Sequence, residues 1–165
     1  MKSLNQWLLN ALFKISDYPV LFRDLLEANA LFNEGMLVDP AKLHYKFKSF
    51  NAYALYTLLC AFVLGLLLLI THYGFTKIDV HFSLFGTIIA TSLVFIGFDF
   101  FKSYTRKMMS KRQIQKAWAV HFPHFSYEKY SKIVADIYTE ALKTEIPNHA
   151  RENSILEQIV QTKSL

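Results

Sequence analysis

Hydrophobic residues in the middle of the chain form two long runs separated by a short polar segment. Residues 52–70 read AYALYTLLCAFVLGLLLLI, which is 19 residues without a charge, and a helix of this length crosses about 30 Å of hydrocarbon. Residues 82–101, FSLFGTIIATSLVFIGFDFF, form a weaker run in which twelve bulky apolar residues offset polar ones and Asp99. The pattern predicts two transmembrane helices joined by an outer loop at 71–81, with Gly74 available for a turn. A buried hairpin of a soluble protein is the alternative.

Apolar residues at helical spacing predict further helices before the first span. Residues from Leu4 to Ile15 form one apolar stripe, and this first helix either lies on the membrane surface or packs on its neighbours. A second helix is expected to open at Pro19 and to end at Gly35. Asp39 and the proline after it predict the start of a third helix that runs directly into the first span.

Three more helical segments are expected after the second span. A basic helix continues to about Val120, where Pro123 ends it, and Ser126 can cap the next helix, which Pro147 ends in turn. A last short helix follows. Core positions are expected at Tyr130, Ile133, Val134, Ile137, Tyr138 and Ala141 in the longer helix and at Ile155, Leu156, Ile159 and Val160 in the last one.

The predicted fold class is therefore all-α, an integral membrane protein with a two-helix transmembrane hairpin and flanking cytoplasmic amphipathic helices. Residues 1–50 form the cytoplasmic N-terminal helices, and residues 51–101 form the hairpin. Residues 102–165 form the basic juxtamembrane helix and the cytoplasmic C-terminal helices. The composition agrees, because 53% of the residues are hydrophobic and only 19% are charged.

The basic residues lie mainly beside the second span, and this changes the meaning of the net charge of +5. No acid occurs from residue 102 to 127. By the positive-inside bias, both termini are cytoplasmic and the loop faces outward. The expected partner of this charge is anionic lipid on the cytoplasmic side rather than nucleic acid. The candidate head-group residues are Lys102, Arg106, Lys107, Lys111, Arg112 and Lys116.

Each span has one face of small residues, and such faces let membrane helices approach closely. The two faces either pack together within the hairpin or contact another subunit, which would make the protein a homo-oligomer or a component of a membrane-protein complex. A pore lined by residues such as Thr91 is a special case of the second arrangement. The candidate packing residues are Ala54, Thr57, Ala61, Gly65, Ser83, Gly86, Thr87, Ala90 and Gly97.

The chemically versatile residues do not form a catalytic motif. His72 is expected to hydrogen-bond Ser83 across the turn, and with Asp79 and His81 it is a weak metal candidate. The two histidines of HFPH at 121–124 are expected to be polar linker residues beside a proline. The lone Cys60 lies in the first span. We therefore expect no cofactor, no metal and no enzymatic activity.

Lys, Asn, Phe and Ile usage with few Gly and Pro is typical of an AT-rich bacterial genome, so the expected location is a bacterial inner membrane. The predicted function is that of a membrane anchor and interaction module for self-assembly or for a partner complex. Two alternatives stay open. One is a pore-forming or transport subunit built from several hairpins, and the other is a metal-dependent membrane enzyme.

Overall fold

The computed structural model describes residues 2–74, 80–144 and 147–163. Within these ranges the chain forms six helices and two three-residue strands, which confirms the mainly α-helical class. In chain order the elements are α1 (Lys2–Leu12), β1 (Phe13–Ile15), α2 (Phe22–Asn33), β2 (Tyr45–Phe47), α3 (Ser49–Gly74), α4 (Val80–His121), α5 (Tyr127–Lys143) and α6 (Asn148–Lys163).

The chain divides into two compact units, each built from both ends of the sequence. The hairpin unit comprises residues Met1–Leu12 and Lys48–Thr105, and the helix–sheet unit comprises Phe13–Phe47 and Arg106–Leu165. This grouping interleaves the chain, whereas the domains predicted from the sequence follow one another along it. Helix α4 therefore contributes residues to both units.

The two strands occupy positions where the sequence pattern predicted helix. The first helix ends at Leu12, and the helix expected from Asp39 onward is absent from the described chain, which turns and then forms β2 before α3 begins. The strands pair antiparallel, with Phe13 opposite Phe47. The Phe13 ring lies 5.4 Å from the Tyr45 ring and 5.3 Å from the Phe47 ring. These aromatic contacts favour extended backbone, because alternate residues of a strand share one face.

Gly35 ends α2, as the sequence predicted. Its φ of +79° is the left-handed conformation that glycine adopts without steric cost. The Gly35 N–H donates to the Phe32 carbonyl over 3.1 Å, and the Met36 N–H donates to the Leu31 carbonyl over 2.9 Å. This is the hydrogen-bond pattern of a Schellman motif, which satisfies carbonyls at the end of a helix. The beginning of α2 is later than predicted, at Phe22 instead of Pro19.

The core of the helix–sheet unit lies among α2, α5, α6 and the basic part of α4. Helix α5 packs against α2 on one side and α6 on the other. The α4 residues Met109, Ile114 and Trp118 are buried, so this helix is part of a core as well as a carrier of surface charge. Asn29 is fully buried, and its amide nitrogen donates to the Ser131 carbonyl over 2.7 Å. A buried polar side chain needs such a partner.

The predicted core stripes of the two C-terminal helices are confirmed in part. In α5 the residues Tyr130, Val134, Tyr138 and Ala141 are buried, while Ile133 and Ile137 are half-buried. The buried face includes Ser131 and Ala135 in their place, since small side chains allow close helix contact. In α6 Ile155 and Ile159 are buried, but Leu156 and Val160 are exposed.

Candidate membrane-contacting surface

Two helices of the described chain are long and apolar enough to cross a membrane. The candidate spans are Ser49–Leu67 in α3 and Ile88–His121 in α4. In the 18-residue apolar stretch of each span, only 6% of the residues are buried. The core helix of a soluble protein would be covered by its neighbours, whereas here bulky residues such as Phe62, Leu66 and Phe95 are exposed. This exposure indicates a membrane protein.

Aromatic side chains hold α3 against α4 inside the hairpin unit. The Tyr53 and Phe98 rings stack with centroids 4.6 Å apart, and the Tyr56 ring lies 5.2 Å from that of Phe98. The Tyr56 hydroxyl donates to the Val94 carbonyl over 2.7 Å. A methyl group built on Gly97 would overlap this hydroxyl, so only glycine leaves room for the tyrosine here. The contact therefore depends on one large residue facing one small residue.

The small-residue face predicted for the first span is mostly exposed where the structure describes it. In this face, Ala54, Thr57 and Ala61 are exposed in the single chain. The tyrosines of α3 contact α4, and packing of the small face on the second span or on another subunit stays a prediction. A methyl group on Gly65 or Gly86 would meet nothing within 4 Å.

The other members of the predicted packing set have mixed positions. Ala90 and Gly97 are half-buried. The side chains of Ser83 and Thr87 lie outside the described part of the chain, as does the predicted hydrogen bond between Ser83 and His72. Contact of these small residues with another subunit stays a prediction.

Beyond the Tyr56 contact, the two helices leave an apolar groove of about 300 Å³ between them. It offers carbon surface and no charged side chain, which suits hydrocarbon better than a polar solute. The lining residues are Tyr56, Leu59, Cys60, Val63, Leu64, Leu67, Ala90, Leu93 and Val94.

The predicted head-group residues all lie on α4, with different degrees of exposure. Lys107, Lys111 and Lys116 are exposed, and the first two share one helix face because they are four residues apart. Lys102, Arg106 and Arg112 are half-buried. The Arg106 Nε atom is buried without a hydrogen-bond partner among the described residues. These positions give α4 an exposed cationic surface, and the lipid contact stays a prediction.

Two histidines have structural roles that the sequence did not reveal. The His121 Nε2 atom lies 2.8 Å from the Val20 carbonyl oxygen, and the His44 Nδ1 atom lies 3.1 Å from the Tyr18 carbonyl oxygen. Since a carbonyl only accepts, each of these ring nitrogens carries the proton. Both histidines therefore hold the segment between β1 and α2, and His121 also packs against the Phe22 ring at 5.4 Å.

The described residues contain no group of three or more histidine, cysteine or acidic side chains suited to a metal ion. Asp79 belongs to residues 75–79, outside the described chain, and the side chains of His72 and His81 are outside it as well. The metal site suggested for these three residues lies there too. His124 is exposed beside the turn that follows α4.

One ion pair in the helix–sheet unit shifts a pKa. Lys42 donates a hydrogen bond to Glu27. This bond and the charge of Glu27 raise the pKa of Lys42, against a smaller lowering by burial. For Tyr138, burial raises the pKa, and the negative charge of Glu27 raises it further. Glu27 and Tyr138 line a mixed-charge cleft that Arg23, Glu34 and other residues complete.

Sequence reasoning missed Tyr56 as the residue that holds the hairpin. A signal was present, because a tyrosine hydroxyl inside an apolar run must find a hydrogen-bond acceptor. No family model, curated protein or solved structure matches this chain.

Proposed function

We propose that this chain is a two-span protein of a bacterial inner membrane. In this proposal its hairpin anchors a non-enzymatic interaction module for self-assembly or for a partner complex. One observation carries the proposal: the two apolar helices are almost uncovered by protein, while the helix–sheet unit has a core of its own. A hairpin that needs lipid cover and a unit that does not are the parts of an anchored module.

The apolar content of α3 is sufficient for insertion. Eleven large aliphatic or phenylalanine residues in 52–70 favour the membrane by about 0.3–0.6 kcal/mol each, or about 3–7 kcal/mol together before polar corrections. The Tyr56–Val94 hydrogen bond lowers the cost of carrying a hydroxyl into hydrocarbon.

The exposed cations of α4 support an orientation with both termini in the cytoplasm. Each lysine or arginine near an anionic leaflet contributes about 1 kcal/mol of attraction. Lys107, Lys111 and Lys116 are exposed, as this role requires.

The interaction function is supported by the exposed small face of α3. Ala54, Thr57 and Ala61 are spaced at three and four residues, and all three are exposed. In a membrane, such a face allows a second helix to approach closely. We expect this face to meet another copy of the chain or a partner subunit.

The test begins with membrane association and then measures assembly. Vesicles carrying the full chain are washed with alkaline carbonate, and release of the protein would refute the anchor. The retained protein is then extracted gently and the intact complex is weighed by native mass spectrometry. Ala61→Leu is expected to reduce the mass to that of a smaller assembly, whereas Val63→Leu, a change in the same exposed helix, is expected to leave it unchanged. A lone monomer from the unaltered chain would refute the interaction function.

Orientation has its own measurement. In a Cys60→Ala background, Lys77→Cys is expected to react with a membrane-impermeant thiol reagent added outside intact cells. His124→Cys is expected to react only after lysis. The reverse pattern would overturn the proposed topology.

A further inference from the structure

Helix α1 buries only part of its apolar surface. Leu9 and Leu12 are buried and Leu8 is half-buried, but Leu4 is 69% exposed and Trp7 is 61% exposed. At about 100° per residue these five positions span an arc of about 200° around the helix. Leu8, Leu9 and Leu12 occupy the part of the arc that protein covers. Leu4 and Trp7 occupy the other part, which the described residues leave mostly uncovered.

The end of α1 is fixed to the beginning of α3. The Lys48 backbone N–H donates to the Leu12 carbonyl over 2.8 Å, and the Asn51 side chain donates to the Ala11 carbonyl over the same distance. The Lys48 ammonium donates to the Asn10 carbonyl over 3.2 Å. These bonds satisfy carbonyls that a helix end otherwise leaves unpaired. They place the last turn of α1 at the level where the apolar run of α3 starts.

We propose that α1 is an interfacial helix, with Leu4 and Trp7 inserted into the lipid leaflet in which α3 begins. This inference rests on the proposed membrane anchor and adds a second contact with the same bilayer. An interfacial helix buries its apolar face about 5–10 Å into the boundary between head groups and acyl chains. Tryptophan favours this depth because its ring is apolar and its N–H is polar. On the side away from this face, Gln6 and Asn10 are exposed.

Lipid fits this surface better than a second copy of the chain. Trp7 offers about 150–250 Å² of surface, whereas a stable protein interface buries about 800 Å² on each partner. The last turn of α1 is also hydrogen-bonded to the beginning of α3, whose first turns carry the exposed aromatic residues Phe50 and Tyr53. Since α3 is the span, an apolar patch at its first turns faces the same bilayer.

The two tryptophans of the chain allow a direct test. Trp118 is only 2% exposed, and its indole N–H donates to the Phe125 carbonyl over 2.7 Å. The full chain and its Trp7→Phe variant are reconstituted in vesicles of anionic and zwitterionic lipid, with bromine either near the head of the acyl chains or near their ends. The difference between the two emission spectra isolates Trp7 without altering the core. The variant alone reports Trp118.

We expect Trp7 emission to be blue-shifted relative to free tryptophan and to lose most of its intensity with bromine near the head groups. The loss should be smaller with bromine near the chain ends, and Trp118 emission should change little with either lipid. Carbonate washing of the same vesicles separates the two proposals. If the protein is retained but Trp7 is not quenched, the interfacial helix is wrong and the anchor stands. If the protein is washed off, both are wrong. A blue-shifted Trp7 that neither bromolipid nor aqueous iodide quenches would mean that protein covers it, which also overturns the inference.

Discussion

Replacing Gly97 by alanine tests the contact that holds α3 to α4. The added methyl group would overlap the Tyr56 hydroxyl, while the neighbouring Cζ atom at 3.6 Å is at ordinary contact distance. Overpacking of this kind costs about 1–3 kcal/mol. The tyrosine can relieve the overlap only by leaving its site. It would then lose its hydrogen bond to Val94, worth about 0.6 kcal/mol in a membrane, and its ring contacts, worth about 0.5–1.5 kcal/mol each. The first route therefore costs about 1–3 kcal/mol and the second about 1.6–3.6 kcal/mol in hairpin packing.

The assay uses Cys60, which lines the same groove as Tyr56 and is the one cysteine of the chain. Its reaction with a thiol reagent is followed while sodium dodecyl sulfate is added to protein in mild detergent. Gly97→Ala is expected to lower the detergent fraction at which Cys60 becomes reactive. Gly65→Ala and Gly86→Ala are the matched controls, because an added methyl group there meets nothing within 4 Å.

A double-mutant cycle makes the reasoning refutable. Tyr56→Phe removes the hydroxyl, so Gly97→Ala should cost little in that background, and the coupling energy should be about 1–3 kcal/mol. If Gly97→Ala costs the same with and without the hydroxyl, the overlap is not the cause. If all three glycine variants behave alike, the described contact between α3 and α4 is wrong.

Three further predictions concern the helix–sheet unit. Ile159→Ala should destabilise this unit by about 2–5 kcal/mol, while Val160→Ala, at the adjacent exposed position, should change the free energy of unfolding by no more than about 0.5 kcal/mol. Both are measured by chemical unfolding of the Trp7→Phe protein, followed by Trp118 emission, and equal effects would show that α6 is not packed. Gly35→Ala should cost about 1–2 kcal/mol because its φ is +79°, and Gly35→Asn should cost less, so equal melting temperatures for the two variants would contradict the cap. The pKa of Lys42 is raised in the folded protein, so its pairing with Glu27 contributes full stability at pH values below the ordinary lysine pKa of about 10.4. This contribution is lost as the pH rises through the raised pKa. The alkaline loss of stability should therefore be smaller in Lys42→Met, and an unchanged pH profile would show that the pair with Glu27 contributes nothing.

The parts of the fold that follow from local pattern were predictable. Two apolar runs of span length became α3 and α4, and Gly35, Pro123 and Pro147 lie outside helices, as their backbone preferences require. The strands were not predictable, since three residues are too few to show an alternating pattern. Phe13 and Phe47 are also far apart in the sequence, so their pairing is a tertiary effect.

The candidate site was predictable in kind but not in detail. Counting lysines and arginines identified the cationic part of α4, but the same helix also carries Met109 and Trp118 into a core. Small residues were expected at the contact between the spans, and Gly97 is placed against the Tyr56 hydroxyl there. A pattern that treats small residues alone as contact residues cannot identify a tyrosine fitted over a glycine, because this fit depends on the relative rotation of two helices.

The hydrogen bond between Lys48 and Leu12 has a topological consequence. The chain leaves α1 at Leu12, runs through residues 13–47, and returns to a point 2.8 Å from the atom it left. The paired strands hold both ends of this excursion together as well. Residues 13–47 are thus a closed insertion, and doubling the length of a flexible loop within it costs only about 0.6 kcal/mol of chain entropy. Within this insertion, segments such as the turn before β2 could gain or lose residues during evolution without altering the junction of α1 with the first span.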